Sequence, residues 1–168
     1  GPDQGGISVI QQRGTQGGVV FLLKGEADET TQIDLLLPEG LTLPVPIGHA
    51  RVAWVLIGAN LAGEAELTYA NLRPWAFIQR RLLGFFGLAG AEGIVCINGA
   101  PLRLTVPRNG AVKPFVQEVE GLTVVVLNEA QVNASYPTAN GLVVGAGGLG
   151  PNDEPLPPTS KTFSRRSR

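Results

Sequence analysis

Two apolar runs dominate the sequence: Val52-Ala53-Trp54-Val55-Leu56-Ile57 and Leu122-Thr123-Val124-Val125-Val126-Leu127. Each run has the length of a β-strand, and neither is followed by a long amphipathic helix. Strands that are apolar nearly throughout are typical of sheets covered on both faces. We therefore expect both runs to form the middle of a β-sandwich, with Trp54 in its core.

Shorter strand candidates surround these two runs, and turn residues close each of them. They occupy residues 7–12, 18–23, 31–37, 41–45, 64–69, 75–79, 93–98, 102–106 and 142–144, while the two apolar runs belong to candidates 51–58 and 122–127. The 168 residues include 23 glycines and 13 prolines, so the chain is rich in turns. The sequence predicts an all-β fold, an antiparallel β-sandwich of jelly-roll or immunoglobulin-like type.

Local signals predict two hairpins and one helical turn. Pro38-Glu39-Gly40 joins two strand candidates, and Asn98-Gly99 joins another two through a pair of residues that tolerates positive φ angles. Residues 102–106 alternate strictly between aliphatic and polar, which indicates a half-buried strand. Residues 128–132 form the one plausible helical turn, because Asn128 can cap its N-terminus.

The domain organisation predicted is one β-sandwich domain over residues 1–149 and a linker or flexible tail over residues 150–168. From Gly145 onward, glycine, proline and serine replace the periodic apolar residues. At the other end, Gly1-Pro2 resembles the remnant of a cleaved tag. We expect the chain to be a piece of a longer protein.

The net charge and the numbers of cysteine and histidine residues restrict the classes of partner that this chain can bind. The formal net charge is -1, which gives no basic footprint for nucleic acid or an anionic membrane. Cys96 is the only cysteine and His49 the only histidine, too few for an internal disulfide or a Cys/His zinc site. Cys96 lies within an apolar run, which predicts a small buried side chain. We expect no nucleic acid, membrane or metal as a partner.

Residues 145–150 match the pattern G-x-G-x-x-G after a strand candidate, which is half of a dinucleotide-binding signature. The other half is a helix whose N-terminus meets the pyrophosphate. The chain continues instead as Pro151-Asn152-Asp153-Glu154-Pro155-Leu156-Pro157-Pro158, which cannot form a helix. No cofactor is expected.

Two acidic pairs and the histidine are the candidates for catalysis. Glu64 and Glu66, like Glu118 and Glu120, are two residues apart, so in a strand both members of a pair share one face. Glycoside hydrolysis needs carboxylates that flank the scissile bond, whereas such pairs are typical of a solvated strand face. The sequence contains no G-x-S-x-G nucleophile elbow for which His49 could act as a general base. We expect His49 in a loop or at a strand edge. We predict no catalytic residue and no enzymatic activity for this chain.

Aromatic side chains are the candidates for ligand binding, since they stack on sugars. Trp75 follows Arg73-Pro74, and Tyr136 precedes a loop, so these two are the predicted ligand-binding residues. Packing is the alternative role for both. Residues 82–88 are strongly apolar, so they are either buried or part of an interface with another domain.

The order of several segments carries a resemblance to a known family. The segments are residues 18–25 (GVVFLLKG), 31–45 (TQIDLLLPEGLTLPV), 65–70 (AELTYA), 121–136 (GLTVVVLNEAQVNASY) and 141–145 (GLVVG). Together they resemble the β-domain that follows the catalytic barrel in glycoside hydrolase family 35 β-galactosidases and their relatives. The likeness covers residues 18–149 and consists of strand and turn patterns.

The resemblance implies a non-catalytic accessory β-sandwich module that packs against the catalytic domain of a carbohydrate-active enzyme. In that family both catalytic glutamates lie in the barrel, so no catalytic residue is carried over to this chain. The family also implies a secreted or periplasmic setting. Two alternatives stay open: a stand-alone carbohydrate-binding module, and a structural or adhesive surface domain.

Overall fold

A computed structural model describes residues 3–4, 7–14, 17–38, 40–63, 65–145, 148–152 and 154–157. Within these residues the protein is all-β, with one short helix. In chain order the elements are β1 (Asp3–Gln4), β2 (Ile7–Gly14), β3 (Gly17–Lys24), β4 (Gln32–Leu36), β5 (Thr42–Pro46), β6 (Val52–Leu61), β7 (Ala65–Ala70), β8 (Arg73–Ile78), β9 (Leu82–Gly87), β10 (Glu92–Ile97), β11 (Ala100–Thr105), β12 (Phe115–Val119), β13 (Leu122–Asn128), α1 (Glu129–Asn133), β14 (Ser135–Thr138), β15 (Gly141–Val144), β16 (Gly148–Leu149) and β17 (Pro155–Leu156).

The strands form two main sheets that pack as a β-sandwich. The larger sheet has the order β1-β2-β3-β6-β7-β10-β11, and the smaller one the order β12-β13-β9-β8. All neighbours are antiparallel except β9 and β13, which run parallel. The predicted antiparallel β-sandwich is confirmed, and this pair is the one parallel pairing among its described strands. After β9 the chain crosses to the larger sheet for β10 and β11, and a crossover of this length permits parallel pairing on return.

Two hydrophobic cores lie on opposite faces of the larger sheet. In β10, Val95 and Ile97 belong to the first core and Ile94 to the second, as the alternation of side chains along a strand requires. The first core fills the space between the two sheets. The second core lies beneath the hairpin of β4 and β5, which covers β3 and β6 from the other side. The predicted pairing of these two strand candidates as a hairpin is confirmed, while Glu39 of the predicted turn lies outside the described residues.

β13 has cover on both faces, as its apolar sequence predicts. Val124 and Val126 belong to the first core, and Val125 and Leu127 on the opposite face are buried as well. The helix α1 directly follows β13 and contacts β13 and β9.

β6 departs from the same prediction. Ala53 and Val55 are buried in the second core, but Val52 is 43% exposed and Trp54 is only half-buried. Packing against the first core starts at Leu56, so the smaller sheet leaves the first half of β6 open on that face. The prediction that Trp54 belongs to the core is therefore wrong.

The local signals at the second hairpin and the helix are confirmed. Asn98 and Gly99 have φ angles of 51° and 79° and join β10 to β11. Asn128 caps α1: its Oδ1 accepts a hydrogen bond from the Gln131 amide at 2.8 Å. The Gln131 side chain accepts one in return from the Asn128 amide at 2.9 Å, which completes a capping box.

The apolar segment at residues 82–88 forms β9, which the strand candidates did not include. Leu83 and Phe85 are buried in the first core, so burial accounts for most of this segment. Gly84 and Gly87 break the alternation that would have marked it as a strand.

Near the C-terminus, β16 pairs with β17, so a short hairpin rather than a helix follows the glycine pattern of residues 145–150. The predicted boundary between residues 149 and 150 falls inside this hairpin, and residues 158–168 lie outside the described part. The one helix in the described ranges, α1, has five residues, and none there is long and apolar enough to cross a bilayer.

Candidate functional site

A cavity of about 430 Å³ opens where the loop after β5 meets the start of β8 and the end of β9. Its walls are residues 46–50, residues 71–73, residues 86–88 and Glu129 at the start of α1. This volume lies within the range of small-molecule sites.

Glycines allow the walls of the cavity to approach one another. Gly48 has a φ of +60°, and a Cβ there would lie 2.9 Å from Leu88 Cδ1. A Cβ on Gly87 would lie 2.8 Å from Leu72 Cδ2. A larger residue at either position would displace the facing leucine side chain, since real Cβ atoms do not approach so closely.

Three polar side chains at the cavity have hydrogen-bonding capacity to spare. Arg73 donates from Nη2 to the Val52 carbonyl at 3.1 Å, and its guanidinium lies 5.9 Å from the centre of the Phe86 ring. Its other donors meet no acceptor in the described part of the chain. Glu129 and His49 are exposed, and neither has a hydrogen bond or ion pair to a described residue. The cavity thus presents a cation, a carboxylate and an imidazole that are free to contact a ligand.

Asn71 fixes the position of one wall. Its buried Nδ2 donates to the carbonyls of Pro44 at 2.7 Å and Glu92 at 2.9 Å, and its Oδ1 accepts from the Ile94 amide at 2.7 Å. Both donors are used, so the side chain joins the β5 end to β10 and serves as a positioning group.

A second polar network fixes the 46–50 loop. The buried Lys24 donates from Nζ to the carbonyls of Thr30 at 2.7 Å and Gly48 at 2.8 Å. Hydrogen bonding to Thr30 lowers the pKa of Asp28, and the charges of Lys24 and Arg51 add to this effect. Asp28 therefore keeps its negative charge to a more acidic pH than a free aspartate does. Its charge stabilises the buried ammonium group.

An open apolar surface lies next to the cavity, on the face of the larger sheet opposite the second core. We name it the β3–β6 face; it consists of Val19, Phe21, Leu23, Val52 and Trp54, with Leu56 at its border with the first core. These side chains form directly opposed pairs across the two strands, with Phe21 opposite Trp54 at the centre. Five are half-buried and Val52 is exposed.

Trp75 and Tyr136, the predicted ligand-binding residues, are both half-buried and do not line the cavity. Trp75 lies at the bulge in β8, and its ring covers Gly84, where an added Cβ would lie 3.5 Å from Trp75 Cε3. Tyr136 lies in β14 opposite Val143. Their roles in binding stay predictions.

The predicted catalytic candidates are not brought together. Glu66 and Glu118 are exposed, Glu120 lies in the turn after β12, and Glu64 lies outside the described residues. Of the group, only His49 lies at the cavity, in the loop where it was expected.

Cys96 is buried, as predicted from its apolar surroundings. In the described ranges, no three histidine, cysteine, aspartate or glutamate side chains are grouped closely enough to hold a metal ion.

Comparison with known proteins identifies no relative: no family model matches the chain, and neither does any curated protein.

Sequence reasoning placed His49 in a loop without assigning it a role in binding, and it missed Arg73, Phe86 and Glu129. These residues come from separate segments that meet only in the folded chain. A weak signal was present, because Arg73-Pro74 begins an edge strand two residues after the polar Asn71, which follows β7.

Proposed function

We propose that this chain is a non-catalytic β-sandwich module of a larger carbohydrate-active enzyme of the β-galactosidase type. In this proposal the module packs against the catalytic domain through the β3–β6 face. The observation that carries it is the open apolar face itself. The segments that resemble the family 35 β-domain favour this class of enzyme over other hosts.

The composition of β6 supports a missing neighbour. An antiparallel strand with one solvated face normally alternates between apolar and polar residues. β6 is apolar on both faces over residues 52–57, yet the described residues cover only one face of its first half. A second cover from outside the described chain accounts for this sequence.

The arrangement of the β3–β6 face is typical of a docking surface. Phe21 and Trp54 lie side by side at its centre, and aliphatic side chains surround them. Aromatic residues at the centre of an interface contribute most of the binding energy. Full burial of a side chain of this size contributes about 1.5–3 kcal/mol relative to exposure, so part of this energy is gained on docking.

We expect the isolated chain to leave nitrophenyl glycosides unhydrolysed. The described carboxylates are dispersed over the surface, and no acid pair faces a common cleft. The check is a chromogenic assay on repurified protein, with Glu66→Gln as the matched variant. Turnover that persists through purification and disappears in Glu66→Gln would contradict the non-catalytic role.

Hydroxyl-radical footprinting tests the docking face directly. We expect the oxidation of Trp54 to be several-fold slower in the full-length natural polypeptide than in this chain alone, because the catalytic domain covers the β3–β6 face. Oxidation is read by mass spectrometry of the peptides.

Trp75 is the internal control for this measurement. It is also half-buried but lies in β8 of the smaller sheet, where its ring covers Gly84 of β9. Its oxidation rate should be the same in both polypeptides. Equal rates for Trp54 in both samples, or a natural reading frame without a catalytic domain, would overturn the proposal.

A further inference from the structure

We propose that the cavity between His49, Arg73 and Glu129 binds one unit of a neutral sugar, at the border of the β3–β6 face. The assignment of this subsite to a domain junction rests on the proposed function. The sugar-binding property itself rests on the chemistry of the cavity.

The charges at the cavity favour a neutral ligand with many hydroxyl groups. An anion would be attracted by Arg73 but repelled by Glu129. A cation would be attracted by Glu129 but repelled by Arg73. A sugar satisfies both groups, because its hydroxyls donate to a carboxylate and accept from a guanidinium. Hydrogen bonds to charged groups are the stronger kind, which suits a small polar ligand.

The remaining wall of the cavity is apolar and suits the C–H face of a pyranose ring. Phe86 and Leu88, both half-buried, line this part of the cavity, and the buried Leu72 and Ile47 lie among its lining residues. Mixed sites of this kind, mostly apolar with a few convergent polar groups, are typical of small-molecule pockets.

Arg73 and the loop that carries His49 are held in place before a ligand arrives. A cation–π contact with Phe86, at 5.9 Å from the ring centre, and the hydrogen bond to Val52 restrain the Arg73 guanidinium. Lys24 fixes the loop that carries His49 through its hydrogen bond to Gly48. Little ordering is needed on binding, which favours affinity.

The hydrogen bond from Arg73 also locates the cavity relative to the docking surface. Its acceptor is the carbonyl of Val52, and the side chain of Val52 belongs to the β3–β6 face. A catalytic domain seated on this face would therefore approach one rim of the cavity. A sugar bound there would lie at the junction of the two domains.

The test is an NMR titration of the isotope-labelled full chain with lactose, which offers a galactose and a glucose ring. We expect amide shifts at residues 46–50, residues 71–73 and Glu129. Glu129→Gln and Arg73→Gln should each weaken binding about tenfold, since each removes a charged hydrogen-bonding partner. Arg73→Lys should recover part of the affinity.

Glu120→Gln is the matched control, because Glu120 is an exposed carboxylate in the turn between β12 and β13. It should bind lactose like the parent chain. The absence of lactose-dependent shifts at the cavity would overturn the proposal, as would affinity unchanged in both Glu129→Gln and Arg73→Gln. Stronger shifts with glycine or galacturonate than with lactose would also overturn it, because they indicate a charged ligand.

The titration tests the sugar site and the footprinting of Trp54 tests the docking face, so either proposal can be overturned without the other. Protection of Trp54 without lactose binding removes the sugar site and leaves the accessory module. Lactose binding without protection of Trp54 supports the sugar site and overturns the docking role, which leaves a stand-alone carbohydrate-binding module.

Discussion

We expect Phe85→Ala to lower the free energy of unfolding by about 3–5 kcal/mol, one of the largest losses available to a single substitution in this chain. Phe85 is fully buried, with 0% exposure, in the first core. It lies in β9 beside Val126 of β13, so its ring fills the space between the two sheets. Its removal leaves a cavity that neighbouring strands cannot close, and the lost contacts add to the lost burial.

The measurement is thermal or denaturant unfolding of both proteins. A loss of this size corresponds to a decrease in melting temperature of roughly 10 °C, at about 2–4 °C per kcal/mol for a chain of this length. Phe77→Ala is the matched control, since Phe77 lies in β8 of the same sheet but is 37% exposed. It should cost about 1 kcal/mol or less. Equal losses in the two variants would show that Phe85 does not fill the core between the sheets.

The parts of the fold that the sequence predicted depend on local chemistry. Asn98 and Gly99 tolerate the positive φ angles of a tight hairpin whatever lies around them. The capping box of α1 uses Asn128 and Gln131, only three residues apart. Such signals are complete within a few residues, so the turn and the helix were both found from the sequence.

The sequence could not show that β6 and β13 differ in exposure. Both strands are apolar nearly throughout. This pattern indicates that both faces of a strand are covered, but it does not show which part of the protein covers them. For β13 both faces are buried within the chain, one of them against the larger sheet. Over the first half of β6, the described residues cover only the face that lies beneath the β4–β5 hairpin. Trp54 lies on the other face and is half-buried, although the sequence pattern is the same as in β13.

The cavity was missed for a related reason. Its polar groups, His49, Arg73 and Glu129, come from a loop, an edge strand and a helix start. These three residues have no characteristic spacing in the sequence. They meet only in the folded chain, after the crossover between β9 and β13 has built the smaller sheet. Only His49 drew attention in the sequence, as the single histidine.

The buried amide of Asn71 is the second position where a large effect is expected. Asn71→Ala should lower the free energy of unfolding by about 3 kcal/mol, because buried polar groups left without a partner each cost about 1–3 kcal/mol. The substitution removes the partners of three backbone groups, on Pro44, Glu92 and Ile94. Asn71 is itself only 6% exposed, so water reaches these groups poorly.

Asn60→Ala is the matched control, because Asn60 is exposed and its Oδ1 accepts one hydrogen bond, from the Gly63 amide. We expect it to cost about 1 kcal/mol or less. Hydrogen exchange supplies a second measurement on Asn71→Ala: exchange should accelerate more at the Ile94 amide, which loses its acceptor, than at the neighbouring Val95 amide. A uniform acceleration along β10 would attribute the loss to global destabilisation instead. A stability equal to that of Asn60→Ala would show that Asn71 does not join β5 to β10, and the wall of the cavity would then need another support.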